Sequence, residues 1–158
     1  MHDEAWMRWE RWMRLALTEA DRAAAMDEVP VGAVVIREEE ILGRGYNRRE
    51  VDQDPLGHAE LIALRQAAEG QGSWRLSGCT MIVTLEPCAM CAGALVNSRI
   101  DRVVFGARDP RAGYCVTLGR IVRDPRLNHR LEVVEGILAE ECGEILRRFF
   151  RRLRRKAD

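Results

Sequence analysis

Short apolar runs alternate with amphipathic helical stretches along this chain, and that alternation constrains its fold more than any other feature. Residues 31–36, 41–46, 80–85, 102–105 and 131–134 are β-branched or apolar segments of four to six residues and read as strands. The first two are separated only by the charged residues 37–40 and predict a hairpin. Between and around the strands the spacing changes to three and four. Trp6, Trp9, Met13, Leu17, Ala20 and Ala24 place an amphipathic helix over 5–26, with the tryptophans read as packing residues. Further helices are predicted over 58–69 with Gly70 placed to end it, over 87–98, and over about 137–155. Residues 107–130 have no clear period and contain two Asp-Pro pairs, so they predict mostly loop with one short helix. Without repeats or linkers, the pattern describes one α/β domain over 1–158, a sheet covered by helices.

Several function classes fall away at once. No apolar run approaches the ~20 residues of a membrane span. The opening Met1-His2-Asp3-Glu4 lacks the basic and apolar regions of a secretion signal. Five cysteines, an odd number, predict reduced thiols and a cytoplasmic setting rather than a disulfide framework. A net charge of zero conceals an asymmetry: residues 147–156 carry seven positive charges and no negative one. On the last helix the arginines fall largely outside the apolar stripe, and such a face predicts contact with a polyanion.

Two segments carry the chemistry. His58-Ala59-Glu60 opens the second predicted helix, and Pro87-Cys88-Ala89-Met90-Cys91 opens the third. Cysteines three apart share a helical face, and a helix start, where backbone N–H groups are unpaired and the dipole is positive, favours thiolates. One imidazole and two thiolates suit zinc, and three protein ligands are the pattern of a catalytic rather than a structural site. A structural site needs a fourth ligand; Cys79 would lie some 20 Å away along its strand, while Cys115, Cys142 and His129 are left open by sequence. Glu60 shares its helical face with Leu61, Ala63, Leu64, Ala67 and Ala68. A carboxylate in an apolar stripe is costly unless its pKa rises, which suits it to carry protons near neutral pH.

His-x-Glu followed by Pro-Cys-x-x-Cys is the general signature of zinc deaminases, and the rest of the chain narrows the resemblance. Val29-Pro30-Val31-Gly32-Ala33, Gly45-Tyr46-Asn47-Arg48, the stretch from Thr84 to Leu95, Phe105-Gly106-Ala107-Arg108-Asp109, Asn128-His129-Arg130 and Phe149-Phe150-Arg151 together resemble the bacterial tRNA-specific adenosine deaminases. That family converts the wobble adenosine of an anticodon to inosine. The resemblance implies a three-layer α/β/α sandwich with a five-stranded mixed sheet, cytidine deaminase-like, one zinc per subunit on His58, Cys88 and Cys91, and Glu60 as proton shuttle. It also implies Asn47 and Val31 around the target nucleotide, Asp109 and Arg111 beside its neighbours, and Phe149, Phe150 and Arg151 against the tRNA anticodon stem-loop. The family is usually homodimeric. Tyr114-Cys115-Val116-Thr117 departs from the family's small residues, so a differently shaped loop is expected there; Gly57 stands where Ala is usual.

The expected reaction is hydrolysis at C6 of adenine by zinc-activated hydroxide, with Glu60 moving the proton. Two alternatives stay open by sequence: a deaminase of a free base or nucleotide such as guanine or deoxycytidylate, and a non-catalytic zinc-bearing RNA-binding subunit.

Overall fold

A computed structural model describes residues 3–157; Met1, His2 and Asp158, within the expected domain and the expected absence of a secretion signal, lie outside them. Five strands, β1 (Gly32–Arg37), β2 (Glu40–Tyr46), β3 (Thr80–Leu85), β4 (Arg102–Ala107) and β5 (Glu132–Glu135), form one sheet in the order β2-β1-β3-β4-β5. β1 runs antiparallel to β2 and β3, while β3, β4 and β5 are parallel, so the sheet is mixed. Helices cover both faces: α1 (Glu4–Ala25) and α4 (Ala139–Ala157) on one, α2 (Ala59–Gln71) and α3 (Ala89–Asn97) on the other.

Two-sided cover explains why the central strands are near-continuous apolar runs rather than alternating ones. Val34, Ile36, Ile82 and Val104 pack with Trp9, Trp12, Met13, Ile137 and Cys142. Ala33, Val35, Met81, Val83, Val103 and Phe105 face the opposite cluster with Ala59, Ala63 and Leu95.

α1 is rotated from the expected stripe. It buries Ala16, Glu19 and Ala23 with Trp9, Trp12, Met13 and Ala20, whereas Leu17 and Ala24 are only partly covered. α2 continues through Gly70 and ends at Gly72, whose φ of 73° is the left-handed conformation that closes a helix. Both α2 and α3 begin one to two residues later than the spacing predicts, because His58 and Cys88 are extended N-cap residues. α4 starts at Ala139 rather than 137, after left-handed Gly136 and Leu138. The short helix within 107–130 is a 3-10 turn at Ile121–Arg123.

α2 is held unusually close to the sheet. A Cβ on Gly43 would sit 2.2 Å from the Ala63 carbonyl oxygen, and one on Gly45 would sit 2.3 Å from that of Ala59. Glycine in β2 thus lets the helix backbone rest on the strand, which fixes where the helix start, with His58 and Glu60, is aimed.

Candidate active site

His58 and Cys88 are the N-cap residues of neighbouring helices, and neither side chain makes an N-cap hydrogen bond. They turn to each other instead: His58 Nδ1 lies 3.6 Å from Cys88 Sγ and 3.5 Å from Cys91 Sγ. The three ligand atoms all lie within 4.8 Å of one another, a group able to hold a metal ion. Cys91 is fully buried, and Cys88 and His58 are half-buried.

Without a cation, one negative charge settles on one of the two thiols. Hydrogen bonding from the Cys91 thiol, and then from His58, holds Cys88 down to about 4. The Cys88 sulfur in turn raises the His58 imidazole. Cys91, beside that thiolate and buried, is pushed up. Glu60 stands at the first turn of α2, 4% exposed. Burial pushes its carboxyl up to about 7, against the opposing pull of its helix-start backbone N–H and of His58.

Above these groups opens a cavity of about 210 Å³, lined by His58, Glu60 and Cys88 together with Val31, Asn47 and Asp109. Asn47 braces the wall at both ends of its amide: Nδ2 donates to the Val29 carbonyl at 3.1 Å, and Oδ1 accepts from the Arg49 N–H at 3.1 Å. Asp109 Oδ1 accepts from the N–H groups of Arg111 and Ala112, so its side chain shapes the following turn. Arg111 is exposed just beyond, outside the cavity lining. Phe149, Phe150 and Arg151 lie on α4, away from that lining. Phe149 is buried and meets Phe150 edge-on at 5.3 Å, and Arg151 pairs with Glu144. Of the seven tail cations, Arg147 and Arg151 pair with acidic residues of α4, and Arg152 and Lys156 with Asp27; Arg148, Arg154 and Arg155 are exposed.

Two buried carboxylates that the sequence does not single out hold the loops around the cavity. Glu28, 1% exposed, accepts from the backbone N–H groups of Glu50 and Val51, in the loop between Asn47 and His58. Glu86, 2% exposed, lines the cavity and accepts from backbone N–H groups of residues 109–117. Burial alone would raise the Glu86 carboxyl, yet the hydrogen bonds together hold it below the usual value.

Comparison with known proteins agrees with this geometry. The family described as MafB19-like deaminase matches residues 7–154. A tRNA-specific adenosine deaminase of Bacillus subtilis (strain 168) is 49% identical over 147 residues, 93% of this chain and 91% of that protein. A solved structure from work on A-to-I editing by tRNA:A34 deaminases at the wobble position superposes with a TM-score of 0.83 at 40% identity, over 86% of this chain and 99% of that one. A guanine deaminase from Nitrosomonas europaea superposes with a TM-score of 0.78 at 23% identity, over 89% of this chain and 83% of that one, and shares the fold.

Proposed function

We infer the reaction from one premise: this chain belongs to the tRNA-specific adenosine deaminases. It is an enzyme that converts adenosine at the wobble position of tRNA to inosine, consuming water and releasing ammonia. The observation that carries this reading is the buried Glu60 carboxyl beside a His58–Cys88–Cys91 group at the floor of an open cavity.

The metal we assign is zinc. Ligand distances of about 2.1 Å for imidazole nitrogen and about 2.3 Å for thiolate sulfur, at tetrahedral angles, require N···S edges of about 3.6 Å. The observed N···S edges are 3.6 and 3.5 Å, and all three ligand atoms lie within 4.8 Å of one another, so the donor set fits the ion. When bound, such an ion is a Lewis acid that makes water nucleophilic at neutral pH.

Glu60 does the proton work. Its raised pKa lets the carboxylate accept one proton of the attacking water and pass it to N1 of the purine. It then takes the remaining proton from the new C6 hydroxyl and delivers it to the 6-amino nitrogen, which leaves as ammonia as the C6–N6 bond breaks and the C6 carbonyl forms. Val31 and Asn47 flank the base, and Asp109 and Arg111 meet the adjoining nucleotides. Phe149, Phe150 and Arg151 meet the anticodon stem-loop; the exposed cations of α4 support that surface. A base in an anticodon loop is turned out of its stack at less cost than one in a duplex. A tRNA substrate assigns the enzyme to the cytoplasm. A second copy is assigned to the face of α2 and α3, where exposed Trp74 adjoins Leu61, Leu64 and Ala94.

The test is to incubate the protein with a tRNA whose anticodon begins with adenosine and score inosine by nucleoside analysis. Inosine at that position, abolished by Glu60→Ala, is the expected result. Turnover of free guanine or deoxycytidylate in place of tRNA would transfer the function to a small substrate, a reading with weaker support because the guanine deaminase likeness shows the fold alone. Biological effect undiminished by Glu60→Ala would instead indicate a non-catalytic RNA-binding role.

A further inference from the structure

Glu86 is the first residue after β3 and lies two residues before Cys88, with a side chain wholly engaged by one loop. Its Oε1 accepts from the Asp109 N–H at 3.0 Å and from the Thr117 hydroxyl. Its Oε2 accepts from the N–H groups of Cys115, Val116 and Thr117 at 3.1, 2.9 and 3.0 Å. Among the described residues no arginine or lysine forms an ion pair with it.

Five donors converge on a carboxylate that has about four lone-pair positions. No capacity is left for a substrate atom or a travelling proton, although the residue borders the cavity. The loop closes over the carboxylate so tightly that a Cβ on Gly113 would lie 2.3 Å from the carboxyl carbon. The same loop presents Asp109 and Ala112 to the cavity. It is further tied to the ligand segment by the Tyr114 N–H, which donates to the Pro87 carbonyl at 2.9 Å.

We propose that Glu86 is the positioning residue for substrate binding: a buried anion that moulds residues 109–117 into the cavity wall receiving the target nucleotide, in register with the Cys88 ligand. The role rests on the deaminase reading. It also accounts for Tyr114-Cys115-Val116-Thr117. These side chains differ from the family's small residues, but three of the segment's contributions to Glu86 come from backbone N–H groups, which any residue but proline supplies. The fourth is a hydroxyl that serine would equally provide.

All five partners are donors, so the isosteric Glu86→Gln turns an amide NH₂ toward N–H groups that have lost their acceptor. The test compares Glu86→Gln, Thr117→Val and Thr117→Ser with wild type in metal-loaded protein, using an anticodon stem-loop RNA with adenosine at the wobble position. For Glu86→Gln we expect unchanged metal content, KM raised at least tenfold, kcat changed less than threefold, and faster amide hydrogen exchange confined to 109–117. Thr117→Val should show a smaller rise in KM, and Thr117→Ser should restore wild-type behaviour. Unaltered KM with faster loop exchange would overturn the proposal, because the loop would then be uncoupled from binding. Loss of metal, or a defect in kcat alone, would also overturn it and assign Glu86 to the ligand segment. If Glu86→Gln fails to fold, the threonine pair decides. If the wild-type protein makes no inosine, the deaminase reading fails separately, and the stem-loop dissociation constant together with loop exchange still judges the role of Glu86.

Discussion

The guanidinium of Arg152 donates to the Ala24 carbonyl at 3.2 Å, so a side chain from α4 closes the last turn of α1 across 128 residues of sequence. Asp27, just beyond that turn, takes Arg152 and Lys156 at 3.5 Å each. Part of the basic tail is therefore occupied in holding α4 to the body. Arg152→Ala should cost about 0.5–1 kcal/mol, a small value because the groups are half exposed. It should accelerate amide exchange over 150–157 while leaving the sheet protected. Uniform protection in the variant would show that the contact contributes nothing.

Arg148, Arg154 and Arg155 are exposed, and RNA affinity is where they should act. Replacing all three with alanine should weaken stem-loop binding and reduce the slope of log K against log salt by about 2, at roughly 0.7 per phosphate neutralised. A slope equal to that of wild type would remove α4 from the RNA surface. Fluorescence anisotropy at several salt concentrations reads this directly.

Chelation should both inactivate and destabilise the enzyme. A ligand present at a thousand times its dissociation constant stabilises by about 4 kcal/mol, and its removal leaves Cys88, Cys91 and His58 in contact without a cation. Calorimetry before and after chelation should show a lower midpoint that zinc restores. Cys88→Ser should prevent that restoration. A midpoint indifferent to chelation would argue against a resident ion.

Two glycines near α2 should respond oppositely to alanine. At Gly45 the new methyl would meet the backbone of Ala59 and Ala63, so the helix must lift, at a cost of about 1–3 kcal/mol, and metal affinity should fall as His58 moves. At Gly70, within the helix, the nearest atom is 4.0 Å away, and alanine should add about 0.5–1 kcal/mol through helix propensity. Denaturant titration distinguishes the two.

Cys142 gives the stability an alkaline limit. Burial pushes its thiol up to about 12, against an ordinary value of about 8.5. The folded state keeps its proton longer than the unfolded state. The stabilisation is full below about pH 8.5 and is lost as pH rises toward 12, the loss reaching roughly 3 kcal/mol by pH 10.5. Cys142→Ala should be about 1 kcal/mol less stable at neutral pH from lost packing, with the gap closing near about pH 9 and reversing above it. Parallel melting curves in the variant and the wild type across that range would contradict this.

The parts of the protein written in residue type were readable from the sequence. The central strands are near-continuous apolar runs and the edge strands short β-branched or apolar ones, so the limits fell within about two residues of 31–36, 41–46, 80–85, 102–105 and 131–134. His58, Cys88 and Cys91 were visible because helix starts bring matching spacings together. Glu86 was not: its partners are backbone N–H groups 23 to 31 residues away, and an N–H has no letter in a sequence. Glu28 escaped for the same reason. The phase of α1 was obscured because the helix is apolar over more than one stripe, and Glu19 is buried with its carboxylate reaching Arg22. The internal pairing of the tail was hidden because Asp27 is more than a hundred residues from Arg152.

The two capping positions have a consequence for anyone selecting variants of this protein. Serine, aspartate or asparagine at a helix start is worth about 1 kcal/mol through a bond to the helix's own backbone, and His58 and Cys88 make no such bond. His58→Asp and Cys88→Ser would each satisfy a helix terminus and remove a metal ligand. A library screened for thermal tolerance in metal-free medium would therefore enrich for inactive protein at these two positions. Screening with zinc present reverses the gradient, because the ion then rewards the residues that leave their own helices uncapped.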